Sequence, residues 1–166
     1  MAVKQLVHYN DKVLHEPCKA FDFIFPQFDP VELAIDLTET MIANGGIGLS
    51  ANQIGIDLKV CVIAAEQVIA MFNPIIVDTS EEVIILEEGC LSFPGLDVRV
   101  KRPRHIKVRF TRPNGETVTE KYTGMTARVM QHEIAHLEGR TMLDDCNVFE
   151  KERAKKNLVK LLRKKK

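Results

Sequence analysis

The sequence predicts an α+β fold in which mostly antiparallel sheets wrap around a central helix carrying an HExxH pattern, with one helix ahead of the strands and a basic helix after them. Three observations predict it. Positions 59–122 are rich in Val, Ile and Thr, alternate with period two near their end, and contain an Asn114-Gly115 turn. Helical spacing is confined to the segments on either side. The resulting order of helix, many strands, helix, helix belongs to antiparallel sheets packed on helices rather than to alternating parallel units.

Each element has its own reason. Asp29-Pro30 reads as a side-chain cap followed by proline at the first helical position. Leu33, Leu37 and Met41 then recur four apart, and Gly45-Gly46 ends the helix. A glycine-containing loop covers 46–53. Lys59 to Ala65, Ile75 to Thr79 and Val83 to Glu87 read as strands. Ile106 to Thr111 and Thr117 to Tyr122 alternate about Asn114-Gly115 and form a hairpin. Gly124 to Leu137 is helical, with Gly139 just beyond its end, and Glu150 to Arg163 is a helix with a basic face.

A chain of 166 residues suffices for one domain. Residues 1–150 read as a single catalytic domain and 151–166 as its basic C-terminal helix or tail. A composition of 45% hydrophobic and 28% charged residues is ordinary for a globular protein. The net charge of zero is unevenly spread: 151–166 hold nine Lys/Arg and one Glu, leaving 1–150 with 14 basic and 22 acidic residues, a net of −8. A basic tail on an acidic body points to an anionic contact. No apolar run reaches the length of a membrane span. Met1 to Asp11 lacks a basic segment followed by an apolar stretch, so no secretory signal is expected and the location expected is cytoplasmic. In that setting Cys18, Cys61, Cys90 and Cys146 are expected to be reduced or metal-bound rather than disulfide-bonded.

His132-Glu133-Ile134-Ala135-His136 carries the chemistry. Residues four apart share a helix face, so both imidazoles can hold one metal, and Glu133 can act as general base toward a water activated there. A catalytic site needs a third ligand. Met142 occupies the downstream position where one large class of HExxH enzymes places a histidine. Glu150 and Glu152 are downstream carboxylate candidates. Cys90 is the upstream one: it follows a strand and sits beside Gly89 in Glu88-Gly89-Cys90-Leu91-Ser92.

Three segments together resemble peptide deformylase. Gly46-Ile47-Gly48-Leu49-Ser50-Ala51-Asn52-Gln53 is similar to the family's first motif, Glu88 to Ser92 to its second, and Gln131 to His136 to its third. Their order and spacing fit, over nearly the whole chain. The resemblance implies hydrolytic removal of the formyl group from N-formylmethionine on nascent polypeptides. It implies Cys90, His132 and His136 as ligands, Glu133 as base, and the Gln53 side chain and Leu91 N–H as donors to the oxyanion. It implies Ile47, Gly48 and Gly89 as contacts to the peptide backbone. Ile47, Leu86, Met125 and Val129 are expected to line an apolar pocket for the methionine, with His132 at its floor. Ligand type alone favours Zn2+. The resemblance implies Fe2+ as the working metal, with Zn2+, Ni2+ or Co2+ as substitutes.

Two positions depart from the family pattern. Ser50 replaces an alanine, a change the loop should tolerate. Ala135 replaces an aspartate that pairs in the family with an arginine matching Arg102. Arg102 is therefore expected to turn to Glu87 or Glu88, and metal retention is the property most exposed to the change.

In the terminal segment Ala154, Leu158 and Leu161 share one helical face, with Lys155, Lys156, Lys160 and Arg163 around it. That pattern fits a solvated helix docked on the body, a contact to ribosomal RNA, or a membrane-surface helix. Two further classes compete for the whole chain: a zinc metallopeptidase with a downstream ligand, and an RNA-binding module with a structural metal. The family resemblance implies a monomer.

Overall fold

The computed structural model describes residues 3–165. Met1 and Ala2, at the start of the segment read for a signal, and Lys166, at the end of the predicted tail, lie outside the described residues.

The first helix, α1 (Pro30–Ala43), starts as expected: the Asp29 carboxylate accepts from the backbone N–H of Val31 and of Glu32, each at 2.9 Å. The strands are β1 (Gly48–Ser50), β2 (Val60–Ile63), β3 (Ile69–Thr79), β4 (Val83–Gly89), β5 (Asp97–Pro103), β6 (His105–Thr111) and β7 (Thr117–Thr123). Among the described residues they form a five-stranded sheet, β1-β2-β3-β6-β7, and a two-stranded sheet, β4-β5, antiparallel throughout. Three more helices follow: α2 (Gly124–Leu137), α3 (Met142–Asp145) and α4 (Val148–Lys164).

The larger sheet is covered on both faces, and β2 shows why it reads as an unbroken apolar run. Val60 and Val62 join Leu33, Leu37 and Met41 of α1 in one buried cluster. Cys61 and Ile63 join Met130, Ile134 and Leu137 of α2 in another. Successive side chains of a strand point to opposite faces, so a strand between two helices has to be apolar at every position. A third cluster packs Val98 and Val100 of β5 against Met142 of α3 and Ala154 of α4.

The structure corrects several boundaries. The strand read as 59–65 is shorter, 60–63: the chain bends at Lys59 and again from Ala65, although Ala64 N–H still donates to Ile47 O at 2.9 Å. The strand read as 75–79 begins at Ile69. Its first half was hidden by Asn73-Pro74, where Asn73 takes φ +50° and the register with β6 shifts. Asn73 also binds Phe21 at both N–H and C=O, at 2.7 and 2.9 Å, pinning the N-terminal segment to the sheet. Strand β4 runs on to Gly89, and Gly48–Ser50 of the predicted loop is a strand followed by a 3₁₀ turn over Ala51–Ile54. Strand β5 had gone unread altogether. Its inward positions are Val98, Val100 and Arg102, and a buried arginine breaks the apolar alternation that marks a strand.

Helix α2 matches its predicted span and stops at Gly139, whose φ is +76° and where an added Cβ would lie 2.6 Å from the Glu16 backbone. Helix α4 buries Ala154, half-buries Leu158 and Leu161, and exposes Lys155, Lys156, Lys160 and Arg163. It thus docks on the body and turns its basic face outward. No helix of the described residues is long and apolar enough to cross a membrane.

Candidate metal centre and active site

Helix α2 is buried along most of its length, and its HExxH segment sets His132 against Glu88 of β4 and Glu133 against Gly48 of β1. His132 Nε2 and His136 Nε2 lie 3.2 Å apart, and Cys90 Sγ is 3.3 Å from His136 Nε2. Among the described residues, Cys90, His132 and His136 form the one group of ligand-type side chains whose donor atoms all lie within 4.8 Å of one another. Donors bound to one metal at about 2.0–2.3 Å stand about 3.3–3.8 Å apart, so this triangle fits a single ion. An ion held by two histidines and a thiolate would keep a coordination position for water or substrate. The four cysteines are all free thiols.

The downstream alternatives fall away. The Glu150 carboxylate accepts from Arg99 N at 2.9 Å and from Arg153 Nη2 at 2.7 Å, and Glu152 pairs with Lys155. Met142 is buried in the third core cluster.

His132 is oriented from behind. Its Nδ1 lies 2.9 Å from Glu88 Oε1, so the ring proton sits on Nδ1 and the Nε2 lone pair faces the centre. Burial works against a charged Glu88, but hydrogen bonds from His132 and Arg102 overcome it and hold the carboxyl low, at about 2. Arg102 turns to Glu88, as one of its two expected partners. Its Nε lies 2.8 Å from Glu88 Oε2 and its Nη2 2.9 Å from Oε1, while Nη1 reaches Asp145 Oδ2 at 3.0 Å. Arg128 adds a further hydrogen bond to Glu88 at 3.1 Å.

Glu133 is buried, and its Oε2 has no hydrogen-bond partner among the described residues; His136 Nδ1 is the other such atom. Burial pushes the Glu133 carboxyl up to about 7. Gln53 is held by its oxygen: Oε1 accepts from Ser50 N at 2.9 Å. That leaves its Nε2 directed toward Ser92 Oγ, at 3.0 Å, and Cys90 Sγ, at 3.5 Å.

These groups open onto a cleft of ≈ 710 Å³. Its lining includes Ile47, Gly48, Gln53, Gly89, Cys90, Leu91, Met125, Val129, His132 and Glu133, so the structure gathers nearly every residue singled out in the sequence. His136 lies behind this wall, fully buried. Leu86 is the exception: it stands on β4, 39% exposed, and does not line the cleft.

Other contributors had escaped notice. Ser50 is fully buried, with its hydroxyl 2.8 Å from Asn52 Oδ1 and 2.9 Å from Gln53 Oε1, so it is more than a tolerated replacement. Asn52 donates to His136 O at 2.7 Å and ties the first motif to α2. Arg128 precedes His132 by four residues on α2, a spacing that could have flagged it. Nothing in the sequence pattern marks Asp145.

Known proteins resemble this chain in sequence and in fold. The sequence profile described as "Polypeptide deformylase" matches residues 3–152. A peptide deformylase of Desulforudis audaxviator is 39% identical over 153 residues, covering 91% of this chain and 98% of its own. One from Aquifex aeolicus is 36% identical over 171 residues and covers 99% of each chain. Among solved structures, a Plasmodium falciparum peptide deformylase superposes with a TM-score of 0.88 at 29% identity, over 96% of both chains. That of Thermotoga maritima does so with a TM-score of 0.84 at 32% identity, over 89% of this chain and 99% of its own. On the profile match, the relatives and the shared fold, the chain belongs to the polypeptide deformylase family.

Proposed function

We propose that Cys90, His132 and His136 hold one divalent metal ion, and that Glu133, Gln53 and Leu91 act around it in the reaction of the family. That reaction is hydrolytic removal of the N-formyl group from the terminal formylmethionine of nascent polypeptides, with release of formate. The observation that supports this division most directly is Glu133 Oε2, a buried carboxylate oxygen without a hydrogen-bond partner among the described residues, beside a converging Cys-His-His triangle.

When bound, the metal supplies a Lewis acid that polarises the formyl carbonyl and makes water nucleophilic near neutral pH. Glu133 takes the proton of the attacking water and returns it to the departing amine. Burial raises the Glu133 carboxyl and so makes it a stronger proton acceptor than a solvated carboxylate. Gln53 Nε2 and the Leu91 N–H donate to the oxygen that becomes negative in the tetrahedral intermediate, each worth on the order of 3 kcal/mol. The fixed Oε1 of Gln53 supports this role, because its amide cannot turn without breaking the bond from Ser50 N.

Ile47, Gly48 and Gly89 contact the peptide backbone. Ile47, Met125 and Val129 form the apolar lining for the methionine; Leu86, lying off the cleft, does not belong to it. The working metal is Fe2+, and Zn2+, Ni2+ or Co2+ can substitute. The protein acts as a cytoplasmic monomer, and the outward basic face of α4 docks on ribosomal RNA near emerging chains.

The decisive experiment is formate release from formyl-Met-Ala-Ser by iron-loaded protein, with Glu133→Gln as control. Formate from the wild type and almost none from the variant is the expected result. No formate from loaded wild-type protein refutes the assignment. The ribosome contact is tested by co-sedimentation, expected to weaken with salt and to vanish when 151–166 are deleted. Equal pelleting of full-length and truncated protein rejects it.

A further inference from the structure

Arg102 links the metal ligands to the outer layer of the molecule. Its side chain is only 7% exposed. One edge of its guanidinium serves Glu88, and the remaining Nη1 serves Asp145 Oδ2 at 3.0 Å. Arg128, equally buried, also donates to Glu88, to Val100 O and to Ile84 O. Two buried guanidinium groups around one carboxylate leave an uncompensated positive charge, and buried charges are tolerated only when paired. The Asp145 side chain, 11% exposed, is the second carboxylate that brings the cluster to neutrality.

Helix α2 does not supply this countercharge. Ala135, beside the ligand His136, is apolar and buried. Asp145 reaches the cluster from α3, nine residues beyond His136. It is set there by local structure: Thr141 and Asp144 close a capping box at the start of α3, Arg140 pairs with the outer oxygen of Asp145, and Cys146 bridges to Val100 of β5.

We infer that Asp145 is a positioning residue for the metal centre: by holding the free end of Arg102 it keeps Glu88 aligned on His132 and supplies the carboxylate that α2 lacks. Without it Arg102 leans wholly on Glu88, which two cations then polarise. Glu88 becomes a poorer acceptor for the His132 Nδ1–H, the imidazole less basic, and the metal less firmly held. The inference rests on Cys90, His132 and His136 being the ligands.

The test compares wild-type protein, Asp145→Asn and Cys90→Ala, each loaded with Co2+ and then mixed with excess chelator. Asparagine keeps the shape and one acceptor oxygen but removes the charge. The Asp145→Asn variant is expected to release Co2+ about tenfold faster or more. It should also show an altered Co2+ absorption spectrum and a lower kcat for formate release at unchanged KM. Where Asp145→Asn does not fold, Asp145→Ser gives the same readouts. Wild-type release rates and spectrum in the folded variant overturn the inference, including the case where only its melting temperature falls. Stoichiometric Co2+ retention by Cys90→Ala points instead to failure of the ligand assignment.

Discussion

Gly48 and Glu133 pack backbone against carboxylate: a Cβ added at Gly48 would lie 2.5 Å from Glu133 Oε1 and 2.7 Å from Val129 Cγ1. The strand β1 thereby forms one wall of the space in which the Glu133 carboxylate sits. Gly48→Ala should push the carboxylate out of line. A misplacement of about 1 Å can cost roughly 100-fold in rate, and that is the expected loss of kcat. Circular dichroism and metal content should stay near wild type. Full activity in a folded Gly48→Ala protein would show that Glu133 has room to spare.

Glu88 is the common acceptor of Arg102, Arg128 and His132. Glu88→Gln leaves two buried guanidinium groups short of a countercharge. Breaking a buried ion pair in this way costs about 3–5 kcal/mol. Denaturant unfolding should report a loss in that range, and the bound metal should exchange about tenfold faster or more. A stability within about 0.5 kcal/mol of wild type, the usual range for surface changes, would contradict the arrangement.

Gln53 has its oxygen anchored on Ser50 and its nitrogen turned to the metal centre. Gln53→Ala is expected to lower kcat by about 100- to 1,000-fold, the cost of removing one oxyanion donor, while KM moves little. Steady-state kinetics on formyl-Met-Ala-Ser checks this. A change confined to KM would make Gln53 a binding residue only.

Burial pushes the Cys18 thiol up to about 11, with the nearby Asp57 charge adding to it; burial likewise raises Cys61. Both thiols are favoured in the neutral form when folded. Their contribution to stability is therefore fully present below the ordinary thiol pKa of about 8.5–9 and is lost as pH rises through the folded values. The melting temperature should fall increasingly from about pH 9 to 11, and less steeply in Cys18→Ala. Neither thiol should react with an alkylating reagent in native protein at pH 8. Identical pH slopes in wild type and variant would disprove the linkage.

Much of this molecule was legible in one dimension. The cap at Asp29, the periodicity of α1 and α2, the Asn114-Gly115 hairpin and the HExxH spacing are short-range properties, set by residues within one turn or one hairpin of each other. The three motif segments contain Ile47, Gly48, Gln53, Gly89, Cys90, Leu91, His132 and Glu133 of the cleft lining. Strand β5 was illegible because its inward Arg102 is matched by Glu88 and Asp145, at 14 and 43 residues' remove. Periodicity records polarity, not the partner that makes a buried charge acceptable.

By itself the sequence determined most of the helices, the hairpin and the chemistry they carry: which helix bears the histidines, which carboxylate follows the first of them, and which end of the chain is basic. Only the tertiary structure decided which distant side chains complete the site. It brought Cys90 to within 3.3 Å of His136, excluded Glu150 as a ligand, moved Leu86 off the cleft, and set Asp145 on Arg102. The physical reason is that these contacts join separate elements, and their distances follow from how sheets and helices pack rather than from spacing along the chain.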